Sequence, residues 1–385
     1  VKKKSCSRFV FKNVFKHTVV NGFTQISPSL LYSNSFATTR PKYPATRLAL
    51  HHFDVAYGSQ LGPLWPSVRV ALLCEKKYGA LINNFSHHDA MAELQLQGCK
   101  DFISDTARGG EEVSQSDLQT TSDASVHSNI KCLVFPEETS YLPLLSRPDS
   151  DGLLGYYLMD AASVLPCLAL DVREGHTVLD LCAAPGGKAL TIMQTYDLGF
   201  LCVNDSSVSR TMRLRRVLQS YVPKAQLSDA KVHISSFDGT MWGDVERDSF
   251  DRVLVDVPCT TDRHSVTEDD NNIFRKNRVG DRRRLPQLQT ALLLAGILAA
   301  RPGGEIVYST CSLSQQQNQG VVEQAAHLAL EQHGIHTQIV DLKPLTQKFS
   351  NTFHFAPGLS VGEMVVPHLA ANFGPIYMCK LRRLT

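Results

Sequence analysis

From about residue 131 onward the chain alternates two hydrophobic rhythms, and few folds can accommodate both. Short runs rich in β-branched and aliphatic residues stand at 177–181, 200–204, 231–235, 252–256, 305–309 and 338–340, and helical patterns at 188–195, 207–221, 285–300 and 315–332. Short apolar strands separated by helices predict a doubly wound, mostly parallel sheet of the Rossmann-like α/β class, with helices on both faces. A final pair of runs at 362–367 and 375–381 reads as an added antiparallel edge. Such sheets bind ligands beyond the C-terminal ends of their strands, so the residues that follow each strand are where chemistry is expected.

The segment from Val178 through Asp180, Leu181, Cys182, Ala183, Ala184 and Pro185 to Gly186, Gly187 and Lys188 has the strand, tight turn and helix layout of a nucleotide-cofactor loop. It lacks both the Gly-x-x-x-x-Gly-Lys-[Ser/Thr] of a triphosphate loop and the Gly-x-Gly-x-x-Gly of a dinucleotide loop. Adjacent glycines at a helix N-terminus let the backbone approach a carboxylate such as that of S-adenosylmethionine. Asp205, closing the second strand, is placed for ribose hydroxyls, and Asp238 and Gly239, after the third, for the adenine side. Any one of these is an ordinary turn glycine or capping aspartate. Acids at three successive strand ends favour a ligand site.

Two thiols stand at the next two strand ends, Cys259 in Asp256-Val257-Pro258-Cys259 and Cys311 in Ser309-Thr310-Cys311-Ser312. Free cysteine is mostly a buried, inert residue, the expected state of the other eight of the ten. A thiol pair beside a methyl donor suits pyrimidine chemistry. Cytosine C5 becomes nucleophilic enough to accept a methyl group once a thiolate has added at C6. Asp256 is placed to hydrogen-bond the base as charge develops on it.

These three motifs, in this order, resemble the NOP/Sun family of RNA cytosine-C5 methyltransferases, over about 156–385. The resemblance implies that Cys311 is the nucleophile, that Cys259 assists product release, and that S-adenosylmethionine meets Gly186, Gly187, Lys188, Asp205, Arg210, Asp238, Gly239 and Asp256. Pro258 to His264, Leu64-Trp65-Pro66 and Asn372-Phe373-Gly374-Pro375 look like the mitochondrial ribosomal-RNA branch. That branch implies small-subunit ribosomal RNA as substrate and a heterodimer with a helical-repeat protein of the transcription-termination-factor (mTERF) type, which links it to the large subunit and to ribosome assembly. The chain departs from the family in two places. The usual Ser-Gly-Asp-Gly after Pro-Cys is Thr260-Thr261-Asp262-Arg263, and a C-terminal Gly-Phe-Phe is missing.

Composition bounds the rest. With 39 Lys and Arg against 37 Asp and Glu, the net charge of +2 gives no global field for nucleic acid, so RNA must meet a local patch. Arg275, Lys276, Arg278, Arg282 and Arg283, with Arg284, form the one dense basic stretch and are the candidate RNA contacts. Cysteine and histidine spacing offers no metal site, and no apolar run is long enough to span a membrane. Residues 1–52 contain no acid but nine Lys and Arg, the signature of a transit peptide, assigned to 1–40 and directing the protein to the mitochondrial matrix. The expected organisation continues with an N-terminal helical region at 41–103, a flexible polar linker or loop at 104–130 and a catalytic domain at 131–385. A tRNA substrate, or a mainly structural role in ribosome assembly, are the alternative readings.

Overall fold

The computed structural model describes residues 43–104, 129–136, 146–196 and 198–385. The expected leader at 1–40 and nearly all of the expected linker at 104–130 lie outside them. Helix α1 (Ala45–Leu61) buries Ala45, Ala49, Phe53 and Tyr57. Spaced four apart, these form one stripe on the helix surface. Phe53 stacks on Tyr57 at 4.8 Å and meets Phe274 edge-on at 5.2 Å. Helix α2 (Trp65–Leu73) is clasped to α1 through Asp54, which accepts from Arg69 Nε at 2.6 Å and Trp65 Nε1 at 3.1 Å.

Strands β1 (Gly79–Ile82), β2 (Lys100–Asp101), β3 (Cys132–Val134) and β4 (Tyr156–Met159) form an antiparallel sheet in the order β2-β3-β1-β4. Residues 41–103 thus contribute strands as well as helices, and β1 pairs with β3 and β4 from beyond the 104–130 segment, within the one compact unit 43–385. A four-residue strand is too short for its period to stand out from a buried helical turn.

The main sheet contains β5 (His176–Asp180), β6 (Leu198–Asn204), β7 (Val232–Ser235), β8 (Phe250–Asp256), β9 (Ala300–Thr310), β10 (Thr337–Val340), β11 (Glu363–Val365) and β12 (Ile376–Arg383). Its order is β10-β12-β9-β8-β5-β6-β7, with β11 on β12, and β9 through β7 are parallel. The expected Rossmann-like sheet is therefore present. One detail differs. β12 is not an edge but lies antiparallel between β9 and β10, because seven of its eight residues are buried.

The chain runs from β5 outward to β7 and then returns to β8, so strand order reverses between β5 and β8, where such sheets open a ligand crevice. Val253 and Val255 face the core that includes α1 and α2, while Leu254 faces the other core, the two-residue period of a strand buried on both sides. Around the sheet lie α3 (Gly187–Met193), α4 (Val208–Tyr221), α5 (Asp262–Thr267), α6 (Val279–Ala299) and α7 (Gln319–His333). Helix α6 starts six residues before the expected 285, since its polar first turns carry no apolar period and Pro286 reads as a helix start although it lies inside. At Gly296 a β-carbon would stand 2.7 Å from Val255 Cγ2, so glycine sets how closely α6 rests on β8. Among the described residues no helix is long and apolar enough to cross a membrane.

Candidate active site

The two thiols come together. Cys259 follows β8 by three residues and Cys311 directly follows β9, and these strands are parallel neighbours with Asp256 opposite Ser309. The sulfur atoms lie 3.3 Å apart, both half-buried. The Cys259 thiol is held well above its usual pKa, first by its hydrogen bond with Cys311 and then by burial. Of the other described cysteines, 99, 132, 167, 202 and 379 are buried as expected, whereas Cys74 is exposed and Cys182 half-buried in the cofactor loop.

Asp256 lies at the end of β8 between the thiols and the loop after β5. Ser309 Oγ donates to its Oδ1 at 2.7 Å and Lys188 Nζ to its Oδ2 at 2.8 Å. Burial works against the Lys188 ammonium, but the charge and hydrogen bond of Asp256 outweigh it and hold the lysine above its ordinary pKa. Beneath this pair lies Asp180, wholly buried, with neither carboxylate oxygen accepting a hydrogen bond of normal geometry. Burial first, then repulsion from Asp256, push it up to about 8, so at neutral pH it is mostly the uncharged acid.

The loop has the backbone its glycines predict. Gly186 adopts φ 119° just before α3, a conformation that side chains resist, and a β-carbon there would stand 3.0 Å from Leu214. Asp205 follows β6, its side chain 3% exposed, with Arg210 over it at 3.2 Å. Arg210 also donates to Ala184 O at 2.7 Å, joining the loop to the acid. Asp238 is exposed and accepts from Thr240 N at 3.0 Å, capping its own turn, and Gly239 is buried beside it. The donor set fits S-adenosylmethionine: carboxylates at the ends of β6 and β8 and past β7 suit hydroxyls and a cationic centre, and the loop brings bare backbone between them.

Several residues of the site were missed. Asn204 is buried and donates to Leu181 O at 3.1 Å and Phe237 O at 3.0 Å, tying together the loops after β5 and β7. Phe237, 41% exposed, directly precedes Asp238 in the loop after β7. An amide closing an apolar strand and an aromatic residue just after one were the available signals. Asp262, which the family pattern shares, is buried under the cysteines, where Tyr57 of α1 reaches it at 2.8 Å. No local pattern marks Tyr57.

The basic stretch is partly engaged with its own chain. Arg275 donates to Asp269 O at 2.7 Å, Arg278 pairs with Asp281 at 3.2 Å, and Arg282 lies 4.5 Å over the Phe274 ring. These three brace the turn before α6. Lys276 lies 5.8 Å over Tyr43, and Arg283 and Arg284 are exposed on the first turns of α6. No cluster able to hold a metal occurs among the described residues.

Residues 167–381 match the family model of the 16S rRNA methyltransferase RsmB/F. The chain is 51% identical to the 5-cytosine rRNA methyltransferase NSUN4 of Xenopus tropicalis, over 92% of this chain and 94% of that one. It is 34% identical to the mitochondrial tRNA (cytosine(34)-C(5))-methyltransferase of Mus musculus, over 88% and 90%. The crystal structure of NSun6 from Pyrococcus horikoshii with SFG shares the fold at a TM-score of 0.58 and 17% identity, covering 90% of this chain and 98% of that one. The chain therefore belongs to the RsmB/F, or NOP/Sun, family of S-adenosylmethionine-dependent RNA cytosine-C5 methyltransferases.

Proposed function

We propose that the protein forms 5-methylcytosine in mitochondrial small-subunit ribosomal RNA through a covalent adduct between Cys311 and cytosine C6. The observation that carries this reading is the 3.3 Å contact between Cys259 and Cys311 at adjacent strand ends. Cys311, in the Thr310-Cys311 motif directly after β9, is the attacking sulfur by its match to the family's Thr-Cys position. Its thiolate adds at C6, and the C5–C6 electron pair becomes available at C5. S-adenosylmethionine, held by the Gly186-Gly187 loop, Asp205, Arg210, Asp238 and Gly239, supplies an electrophilic methyl group when bound. Asp256, fixed by Lys188 and Ser309, presents its carboxylate to the base edge. A base, water in the open site, takes the C5 proton; the C–H electron pair re-forms the C5–C6 double bond and the C6–S bond breaks, expelling Cys311 as a thiolate, a release that Cys259 assists.

The similarity to the rRNA methyltransferase NSUN4 of Xenopus tropicalis at 51% identity, against 34% to the mitochondrial tRNA enzyme of Mus musculus, favours ribosomal RNA. The acid-free 1–52 segment supports import to the mitochondrial matrix. A net charge of +2 favours delivery of the enzyme to RNA by a partner; the resemblance to the mitochondrial ribosomal-RNA branch implies that this partner is an mTERF-type helical-repeat protein, which also links the enzyme to the large subunit and ribosome assembly. Arg275, Lys276, Arg283 and Arg284 are exposed, and Arg278 and Arg282 half-buried, on the stretch proposed to meet phosphate. Bisulfite sequencing of mitochondrial RNA with and without the protein tests the assignment. Loss of a methylated cytosine from small-subunit rRNA is expected, and loss confined to tRNA would overturn the substrate.

A further inference from the structure

Helix α1 lies outside the segment 167–381 that matches the family model, yet it reaches both cysteine loops. Tyr57, 3% exposed, donates its hydroxyl hydrogen to Asp262 Oδ2 at 2.8 Å. Asp262 is wholly buried, and its carboxylate is shared between the two loops. It accepts from Thr260 Oγ1, one residue after Cys259, and from Leu313 N at 2.7 Å, two residues after Cys311. Ser312 Oγ, next to Cys311, lies 2.8 Å from Thr260 Oγ1 and 3.2 Å from Asp262 Oδ1. Gln60, one turn after Tyr57, donates to Leu313 O at 2.6 Å and accepts from Gln315 N at 3.1 Å.

The two cysteines belong to different loops, and no covalent link fixes the distance between their sulfur atoms. This buried carboxylate and its donors join the loops beneath the thiols, beside the Gln317 amide, whose Oε1 accepts from Thr260 N at 3.1 Å and whose Nε2 donates to Thr260 Oγ1 at 3.1 Å, and a backbone hydrogen bond from Asp262 N to Cys311 O at 3.2 Å. A buried acceptor with satisfied partners is stiff, because each hydrogen bond it loses inside the protein is not replaced by water. Phe53 and Trp65 pack against the Tyr57 ring at 4.8 and 5.5 Å, so the hydroxyl position is set by the helix rather than by the loops.

We propose that Tyr57 and Asp262 are positioning residues that hold Cys259 and Cys311 at their working separation, making the N-terminal helix a part of the catalytic apparatus. The consequence for rate rests on the thiol chemistry proposed above, whereas the consequence for sulfur geometry does not. Reacting groups displaced by about 1 Å lose about a hundredfold in rate, so a partly loosened clamp should cost a measurable share of that.

The test uses the full chain carrying Tyr57→Phe, which keeps the ring and removes the hydrogen-bonding hydroxyl, and Asp262→Asn as a stronger lesion. Two readouts are taken. The first is steady-state methylation, where kcat of Tyr57→Phe should fall about tenfold with KM for RNA and calorimetric S-adenosylmethionine affinity unchanged. The second needs neither RNA nor cofactor: the rate at which oxidised glutathione closes a Cys259–Cys311 disulfide. One thiolate attacks the glutathione disulfide and releases one glutathione thiol. The second cysteine, deprotonated, then displaces the other, so the protein loses two hydrogens and two glutathione thiols appear. Closure should slow in Tyr57→Phe in step with kcat. Unchanged closure and unchanged kcat would overturn the proposal, as would a loss of cofactor affinity that parallels kcat, which would make Tyr57 a residue of the fold alone. Should Cys311→Ala retain full activity, the thiol chemistry fails, and the closure rate still decides whether Tyr57 positions the pair.

Discussion

Cys259 and Cys311, 52 residues apart in the chain, place their sulfur atoms 3.3 Å from each other at the ends of two neighbouring parallel strands. That proximity permits a division of labour between attack and release. We expect Cys311→Ala to abolish methylation. Cys259→Ala should add to cytosine but fail to eliminate, leaving a protein–RNA adduct that survives denaturing gels. An adduct that accumulates in Cys311→Ala instead reverses the two roles.

Asp205 is covered by Arg210, which also holds the Ala184 carbonyl of the cofactor loop. Its replacement by Ala removes a charge-assisted acceptor and releases that arginine. Hydrogen bonds to charged groups contribute about 1.5 to 3 kcal/mol, so S-adenosylmethionine should bind about ten- to a hundredfold more weakly. Titration calorimetry measures it, and an unchanged affinity would sink the ribose assignment.

Asp180 links stability to pH. Its pKa rises from 3.8 to about 8 on folding, through burial first and Asp256 second. Between these values the unfolded chain has given up a proton that the folded chain keeps. Stability therefore falls as pH rises through that window, by at most about 1.4 kcal/mol per unit, and the loss is complete above the folded pKa. Asp180→Asn removes the titration. Its melting temperature should exceed that of the unsubstituted protein by a wider margin at about pH 8 than at about pH 5. A margin independent of pH would show that Asp180 is ionised in the fold.

Thr261 adopts φ 48°, at the position where the family's Ser-Gly-Asp-Gly pattern has its first glycine. A β-branched residue there is strained by about 1–2 kcal/mol, and glycine returns about 0.5–1 kcal/mol of that through its freer unfolded chain. Thr261→Gly should raise the denaturant midpoint by the equivalent of about 0.5–1 kcal/mol. A lowered midpoint would mean that the contacts of Thr261 with the Cys259 loop outweigh the strain.

The apolar stretch at 64–73 illustrates an ambiguity that sequence cannot resolve. Trp65, Val68, Ala71 and Leu72 are buried, while Val70 and Leu73 remain 46% and 43% exposed on the same helix. Hydrophobicity alone does not say which face finds a partner within the chain, because that depends on the approach of α1, 205 residues from its contact at Asp262. Likewise the run from Arg275 to Arg284 reads as one basic patch. The fold divides it, half-burying Arg278 and Arg282 against the preceding loop, to which the exposed Arg275 also donates, and leaving Arg283 and Arg284 outward.

What the sequence determined by itself was local. Hydrophobic period marked the parallel strands, paired glycines marked the loop before α3, and proline or threonine before a cysteine at a strand end marked the two thiols, because each signal is written within about ten residues. Tertiary structure alone decided that β12 lies inside the sheet, that Asp180 is wholly buried beside Asp256, and that Tyr57 reaches the acid beneath both cysteines. Those outcomes depend on which distant surfaces exclude water together, and burial of that kind has no signature in the neighbouring residues of the chain.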